Sequence, residues 1–526
     1  MIEKGESFLD YKLRELFCPF INNFFRKFIF NCKFTSMLKY IKHISGIFFF
    51  FSAIVSCAQT TGVIWGSPIN VGTGATHNNI YPRLTLTTGD IPLVIWEDNS
   101  PAVIYSARKT GATFSTPIAI NGGASPYVMT WTGAEIGSSG DTAFVVFMTA
   151  IANSKSYSVR TIDGGLTFSD TVRIDNETNR LASFPTVAVM PGGNPIVAYM
   201  GSDTISMLDP KYTITKSTDG GNSFLPPVEP VIPGEACDCC PSSLAISENT
   251  QALLFRNNIS NLREMWASFS TDTCVSFPVS TNIDTTNWFV SSCPSSAPSG
   301  VIIGDSLVYT WMSDGTGDAR VYIGTVNIND QQMGQHRQLY PVGTTSQNYP
   351  VIAGKGDTLG VVWLGYNGSS QDILFSWSLT GAAGIGANID TITKGLTGHQ
   401  SRPDIAFNNG KFHVVYSQGT GTQVHYVEGL IVPNVSVEEI DSSPILNFTS
   451  SNSNGSIEIQ INSSKELEGE ILILNALGQQ IKRMPAEIKT GSNNYSINHQ
   501  MNAGIYFVVL STSDGKIYQS KVVVAK

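Results

Sequence analysis

The heptapeptide Trp65-Gly66-Ser67-Pro68-Ile69-Asn70-Val71 is echoed by Phe114-Ser115-Thr116-Pro117-Ile118-Ala119-Ile120, with the same aromatic, proline and alternating aliphatics. The second copy ends a unit of about 50 residues that recurs as far as Tyr416. The first copy has no unit before it, and the last unit lacks this closing strand. An orphan last strand at the start of an array and a missing one at its end imply a circle, closed when the first strand joins the last unit.

Each unit opens with a proline and alternating aliphatics. The openings are Tyr81-Pro82-Arg83-Leu84, Ser125-Pro126-Tyr127-Val128, Phe184-Pro185-Thr186-Val187, Cys240-Pro241-Ser242-Ser243, Cys293-Pro294-Ser295-Ser296, Tyr349-Pro350-Val351-Ile352 and Arg402-Pro403-Asp404-Ile405. An apolar run ending in an aromatic follows, as in Leu93-Val94-Ile95-Trp96 and Val361-Val362-Trp363. A third strand such as Tyr212-Thr213-Ile214-Thr215 comes next, and the Phe-x-x-Pro strand closes the unit. Short runs rich in β-branched and aromatic residues, bounded by Gly, Asn and Asp, are strand signals. Four strands per unit make a blade. The expectation is an all-β chain: a seven-bladed β-propeller over residues 62–432, followed by a small C-terminal β-sandwich. Six blades is the alternative count, because the second unit is the least regular.

The 526 residues carry a net charge of −9, and only 14% are charged. With no basic cluster, nucleic acid is not an expected partner. The N-terminus reads as a targeting segment. Basic residues Lys39 and Lys42 precede an apolar core from Ile44 to Val55, and Ser56-Cys57-Ala58 supplies small residues. This is a secretory signal over 37–58, too short for a stable membrane span. Cleavage is expected after Ala58. Ile54-Val55-Ser56-Cys57 also has the form of a lipoprotein box, which would make Cys57 the lipidated first residue. Met37 is a suitable initiator, so residues 1–36 read as a mis-assigned extension or as an amphipathic one. No transmembrane anchor is expected in the mature chain.

A recurring turn separates the third and fourth strands. Thr161-Ile162-Asp163-Gly164-Gly165-Leu166-Thr167-Phe168 and Ser217-Thr218-Asp219-Gly220-Gly221-Asn222-Ser223-Phe224 are good copies. Ser270-Thr271-Asp272-Thr273-Cys274-Val275-Ser276-Phe277 and Ala107-Arg108-Lys109-Thr110-Gly111-Ala112-Thr113-Phe114 are degraded ones. The Asp accepts hydrogen bonds from its own turn, and Gly at the fifth position permits positive φ. These turns resemble the Asp-box (BNR repeat) of sialidases and related propellers. The resemblance implies a structural role, on the blade periphery, for Asp163, Gly165, Phe168, Asp219, Gly221 and Phe224.

Beyond the signal the chain keeps Cys237, Cys239, Cys240, Cys274 and Cys293. Cys240 and Cys293 each precede a repeat proline, so they hold equivalent places in neighbouring blades. In a secreted chain, disulfides are the default. A direct Cys240–Cys293 bond is the first pairing expected, with Cys237 or Cys239 reaching Cys293 as the competing one and Cys274 unpaired. A thiolate metal set or a reactive thiol at the Cys-x-Cys-Cys cluster is the other reading, although no His lies nearby to complete a mixed zinc set. No metal and no cofactor is expected.

The stretch from Cys237-Asp238-Cys239-Cys240-Pro241 through Phe255-Arg256-Asn257-Asn258, Arg263-Glu264-Met265-Trp266 and Asn287-Trp288 to Cys293-Pro294 resembles a sialidase-like subgroup of bacterial secreted propellers. Sialidases use three arginines for the substrate carboxylate, a Tyr–Glu pair and an Asp acid/base. That resemblance makes Arg83, Arg256, Arg402 and Asp98 the candidate catalytic residues, with Arg320 and Glu97 behind them. None falls in a diagnostic motif, because Pro82 precedes Arg83 where the family has Phe/Tyr-Arg-Ile-Pro.

Residues 433–453 are rich in Ser, Asn and Pro and read as a linker. Residues 454–526 then hold alternating strands with Gly turns, which make a small sandwich. Leu477-Gly478-Gln479, Gly504-Ile505-Tyr506-Phe507 and the terminal Lys521-Val522-Val523-Val524-Ala525-Lys526 resemble the type A C-terminal sorting domain of the type IX secretion system. The resemblance implies the type IX machinery as a partner and a secreted or cell-surface protein of a Bacteroidetes-type bacterium. The function expected is a non-catalytic module that binds a glycan or a surface protein. The alternatives are an exo-α-sialidase-type glycosidase and a metal- or thiol-dependent activity at the cysteines.

Overall fold

The computed structural model describes residues 60–72, 79–129, 131–150, 153–177, 179–203, 209–340, 346–419, 423–434, 446–453, 455–476, 480–513 and 517–524. The segment expected to be a secretory signal and Cys57 lie outside the described residues.

Among the described residues, the repeat region folds into seven antiparallel sheets, one for each proline opening. Blade 1 is built from Asn79–Thr87, Ile91–Asn99 and Ala102–Thr110, with Thr113–Phe114 and Ile118–Ala119 outside. Blade 2 runs Glu135–Ser139, Thr142–Met148, Ser156–Thr161 and Val172–Arg173, and blade 3 runs Arg180–Val189, Pro195–Asp203 and Lys211–Lys216. Blade 4 holds Ser243–Ile246, Gln251–Asn258, Met265–Ser270 and Ser280–Asn282, with Glu235–Ala236 added beside Gln251–Asn258. Blade 5 comprises Ser299–Ile303, Ser306–Ser313, Arg320–Asn327 and Met333–Gln338. Blade 6 comprises Ser346–Lys355, Thr358–Tyr366, Gln371–Ser378 and Ile389–Thr391. Blade 7 holds Gln400–Asn408, Lys411–Gln418 and Gln423–Asn434. The first strands of the seven sheets neighbour one another in order, and that of blade 7 packs against that of blade 1. This is the closed ring of a β-propeller.

The closing strand comes from the start of the array. Ile69 pairs with Tyr426 and Asn70 with His425, and the Val71 amide donates to the Val424 carbonyl at 2.9 Å. In blade 1, Ile118 pairs with Ser106 and Ala119 with Tyr105, and Ile120 donates to Ile104 at 2.9 Å. The two heptapeptides therefore do the same job in different blades. The structure also adds Thr60–Trp65 to the outer edge of blade 7.

Each second strand is covered on both faces, which explains its unbroken apolar run. Leu93, Val94, Ile95 and Trp96 are all fully buried. Val94 and Trp96 pack with Val415 and Tyr426 of blade 7, while Ile95 packs with Val145 and Phe147 of blade 2. Alternate residues of one strand thus serve alternate inter-blade cores. Each such side chain contributes about 1.5–3 kcal/mol on burial.

Four first strands share a bulge at the repeat proline. Register shifts lie between Ile80 and Arg83, Ser183 and Thr186, Asn348 and Val351, and Ser401 and Asp404. The residue before the proline has φ of 53° at Tyr81, 54° at Phe184, 52° at Tyr349 and 53° at Arg402. Proline has no N–H for the ladder, so a bulge is where a strand tolerates it. A left-handed non-glycine residue costs about 1–3 kcal/mol and persists only where its surroundings enforce it.

The C-terminal sheets are Leu446–Ser453, Ser456–Ser463 and Gly491–Asn498 in one, and Gln480–Ile488, Leu467–Asn475, Gly504–Thr512 and Ile517–Val524 in the other. Ile457, Ile459 and Ile461 from the first and Ile471, Ile473, Val508 and Leu510 from the second fill one core. The linker expected to reach residue 453 instead gives way to strand Leu446–Ser453, whose Phe448 packs on that core. Its Ser and Asn residues made this strand read as linker. Among the described residues, no helix is long and apolar enough to cross a membrane.

Candidate functional site

The bulges surround a pit of about 110 Å³ to which every blade contributes. Tyr81 and Arg83 come from blade 1, Trp131 and Glu135 from the approach to and start of blade 2, Tyr349 from blade 6, and Arg402 and Asp404 from blade 7. Blades 3, 4 and 5 present mostly prolines and serines.

One side of the pit is a closed polar network. The Arg83 Nε lies 3.0 Å from both oxygens of Glu135, and the Tyr81 hydroxyl donates to Glu135 at 2.9 Å. The Arg83 guanidinium stacks 3.9 Å from the Tyr81 ring centre. Burial raises the Tyr81 phenol well above its ordinary range, so it stays neutral. Burial opposes the Arg83 cation, but Glu135, Tyr81 and Asp404 outweigh it and hold the charge.

The other side is open. The Arg402 guanidinium lies 3.3 Å from the Tyr349 ring centre. Burial lowers its pKa, with Tyr349 and Tyr81 opposing. Among the described residues, no carboxylate forms an ion pair with it. Two further carboxyls lie close by. Burial pushes Asp404 up to about 6 against the pull of Arg83, and the Leu84 amide donates to it at 2.8 Å. Burial pushes Glu97 up to about 8. One Glu97 oxygen accepts from the Ala134 amide at 2.7 Å, and the other has no partner.

Of the arginine and aspartate candidates, the structure gathers Arg83 and Arg402 at the pit and leaves the others elsewhere. Arg256 is fully buried. It donates to the Arg263 carbonyl at 2.8 Å and the Met312 carbonyl at 2.7 Å, tying blade 4 to blade 5. Asp98 accepts from the Ser100 amide at 2.9 Å within its own turn. Arg320 pairs with Asp318 at 3.1 Å. The sequence reading missed Tyr81, Tyr349, Trp131 and Glu135. Tyr81 and Tyr349 were visible as pre-proline residues equivalent to Arg402, whereas Glu135 stands in no repeated pattern.

The residues of the turns that resemble Asp-boxes do not line the pit. Asp163 accepts from the Leu166 and Thr167 amides, each at 3.0 Å, and Asp219 accepts from the Ser223 amide at 3.0 Å and its hydroxyl at 2.6 Å. The Ser223 bonds pull the Asp219 carboxyl down to about 2. Gly165 and Gly221 sit at φ of 89° and 85°. Phe224 is buried and Phe168 partly so, each in an inter-blade core. The turn at Asp272 is degraded in sequence yet complete in geometry. Val275 and Ser276 donate to Asp272 at 2.9 and 3.0 Å, with Cys274 at φ 57° in the glycine position.

The disulfide joins Cys239, not Cys240, to Cys293, with Cα atoms 6.1 Å apart. Cys240 is turned inward and fully buried, and its amide donates to the Cys237 carbonyl at 3.1 Å in a tight turn. Adjacent residues in such a turn face opposite ways, and Cys239 is the one that meets Cys293. The bond takes Cys239 out of the thiolate set the sequence offers to a metal. Cys237, Cys240 and Cys274 are free and buried. Burial pushes Cys274 up to about 12.

Residues 452–525 match the secretion system C-terminal sorting domain. This sorting domain marks the chain as a propeller protein secreted or displayed at the cell surface by a Bacteroidetes-type route. Strand Ser456–Ser463 of the sorting domain keeps a strict in–out alternation, unlike the doubly covered second strands of the blades. Among solved structures, the chain is similar to a protein of unknown function from Dyadobacter fermentans, at 11% identity and TM-score 0.42 over 60% of this chain and 98% of that one. It is similar to Trypanosoma rangeli sialidase in complex with the inhibitor DANA, at 9% identity and TM-score 0.42 over 87% and 89%. An α-L-arabinanase from Penicillium chrysogenum is similar at 14% identity and TM-score 0.40 over 63% and 100%. No curated protein matches the chain.

Proposed function

We propose that the propeller is an exported, non-catalytic binding module whose axial pit takes a carboxylate-bearing sugar residue. The observation that carries this reading is Arg402: a guanidinium at the pit wall, stacked on Tyr349 and free of any acid partner among the described residues. Guanidinium matches carboxylate in a two-bond fork, more strongly than a neutral donor does. Tyr349, Tyr81 and Trp131 add apolar faces for a sugar ring. Arg83 is already neutralised by Glu135, so Arg402 is the cation left for the ligand.

A second reading, glycoside hydrolysis, draws support from the Tyr81–Glu135 bond of 2.9 Å. Against it, Glu135 is engaged by Arg83 and burial holds Tyr81 neutral. The test is calorimetric titration of the secreted propeller with sialic acid, a uronic acid and their methyl esters, together with turnover of a fluorogenic sialoside. Binding of the free acids without turnover supports the module. Turnover lost in Tyr81→Phe would replace it with the hydrolase. Equal binding of acids and esters would sink the carboxylate role.

A further inference from the structure

The cysteines of blade 4 do not themselves line the pit, although Cys240 adjoins Pro241 in its wall, and the binding reading does not use them. Glu235–Ala236 pairs with the end of Gln251–Asn258 and delivers Cys237 into the turn that Cys240 closes. The sulfur of Cys237 lies 2.7 Å from that of Cys240 and 3.8 Å from that of Cys239. Cys239 is half-buried, and its bond runs to the exposed Cys293. A buried dithiol therefore touches a disulfide that reaches solvent. A staple between two loops needs Cys239 and Cys293 alone.

We propose that these four cysteines form a thiol–disulfide relay, in which the buried Cys237/Cys240 pair passes electrons to an external disulfide through the exposed Cys239–Cys293 bond. The Cys237 thiolate attacks the Cys239 sulfur, the Cys239–Cys293 bond breaks, and Cys293 leaves as a thiolate. Cys240 gives its proton to Cys293 and attacks Cys237, and Cys239 leaves as a thiolate. The buried pair is now oxidised and the outer pair reduced, with one proton and one negative charge conserved. The outer pair then attacks an external disulfide RSSR, re-forms the Cys239–Cys293 bond and releases RSH and RS⁻, the latter taking a proton from water. The net reaction is oxidation of one dithiol and reduction of one disulfide. Supply of an external dithiol runs it backwards.

The surroundings favour Cys237 as attacker. Arg263 Nη1 lies 3.0 Å from its sulfur and is itself within 3.7 Å of Asp238. The hydrogen bond from Cys240 and the Arg256 and Arg263 charges bring the Cys237 thiol down to about 7 against burial. Tyr212 also faces the pair and is neutral, its phenol raised by burial. Burial raises the Cys240 thiol, which suits a resolving group that acts second.

The test uses the full chain carrying Cys240→Ser. It is pulsed with N-ethylmaleimide and cut before Asp238, which separates Cys237 from Cys239. The relay expects Cys237 linked to Cys239, and Cys293 labelled about tenfold more than in Cys237→Ser/Cys240→Ser. A second arm supplies oxidised glutathione to the otherwise unaltered chain with the inner pair reduced. It should release two equivalents of glutathione and form Cys237–Cys240. In Cys239→Ser/Cys293→Ser, checked for its fold by circular dichroism, that reaction should slow about tenfold or more. Equal rates with and without the outer pair would overturn the relay, as would an unlabelled Cys293 in a folded Cys240→Ser chain. Where Cys240→Ser does not fold, the glutathione arm decides.

Discussion

The Arg402 guanidinium stacks 3.3 Å from the centre of the Tyr349 ring, and both residues hold the left-handed position before a repeat proline, with φ of 53° and 52°. Blades 7 and 6 thus use one backbone device to present a cation and the aromatic face that carries it. Replacing Arg402 by Met removes the charge and keeps much of the stem. Affinity for a sugar acid should fall by about 2 kcal/mol or more, some thirtyfold, because a desolvated carboxylate loses its partner. The melting temperature should hold or rise, since a partly buried cation without an acid partner is lost. Calorimetry and a thermal melt together check both.

Glu97 makes stability depend on pH. Its carboxyl is raised by burial from 4.5 to about 8, so the folded chain keeps a proton that the unfolded chain has shed. Stability from this group is complete below about 4.5 and is lost as pH rises through about 8. Asp404, raised to about 6, has the same sign at lower pH. His413, lowered by burial to about 4, has the opposite sign. Cys237, lowered to about 7, also opposes between there and its ordinary 9. The difference between the unaltered chain and Glu97→Gln isolates the one group. The variant should gain on the unaltered chain by on the order of 1–3 kcal/mol from pH 5 to 8 in denaturant titrations. A pH-independent difference would contradict the neutral, buried carboxyl.

Val71 and Ile120 end the two heptapeptides and fill equivalent places, with 0% and 3% exposure. Val71→Ala and Ile120→Ala should each cost about 2–4 kcal/mol, through lost contacts and a residual cavity. Matched losses in chemical denaturation would show that the borrowed strand is as much part of its blade as a resident one. A Val71→Ala loss near zero would mean that the ring does not depend on its clasp.

Export should remove the sorting domain. The peptide containing Ile505–Leu510 should be missing from mass spectra of the surface-released protein, and the mature chain should begin at Gln59 or Cys57. Recovery of that peptide from the mature form would contradict the sorting reading.

The sequence carried the ring better than the pit. Each proline opening precedes or enters the first strand of one sheet, and in blades 1, 3, 6 and 7 it falls inside that strand, where the missing N–H is accommodated at a bulge. Tyr81 and Tyr349 could have been found by aligning the residues before those prolines. Glu135 could not, since its importance comes from Tyr81 and Arg83 of another blade. Arg256 was drawn in as a candidate because an arginine that caps buried carbonyls and one that faces a ligand look alike in a single sequence. Cys239 and Cys240 differ by one position, and the turn decides which faces outward. The third Asp-box looked broken because Cys274 occupies a glycine position, yet the Asp272 hydrogen bonds still set that backbone.

The pairing of Ile69 with Tyr426 also sets the order of assembly. The strand that fastens the ring lies at the start of the propeller, and its partner is not present until the last blade has emerged. Loop closure over so long a span comes late and slowly. A chain emerging from its N-terminus therefore stays an open ribbon, its first strand unmatched until blade 7 arrives. The ring can lock only once the last blade is present, so the fold itself keeps time with the emergence of the chain.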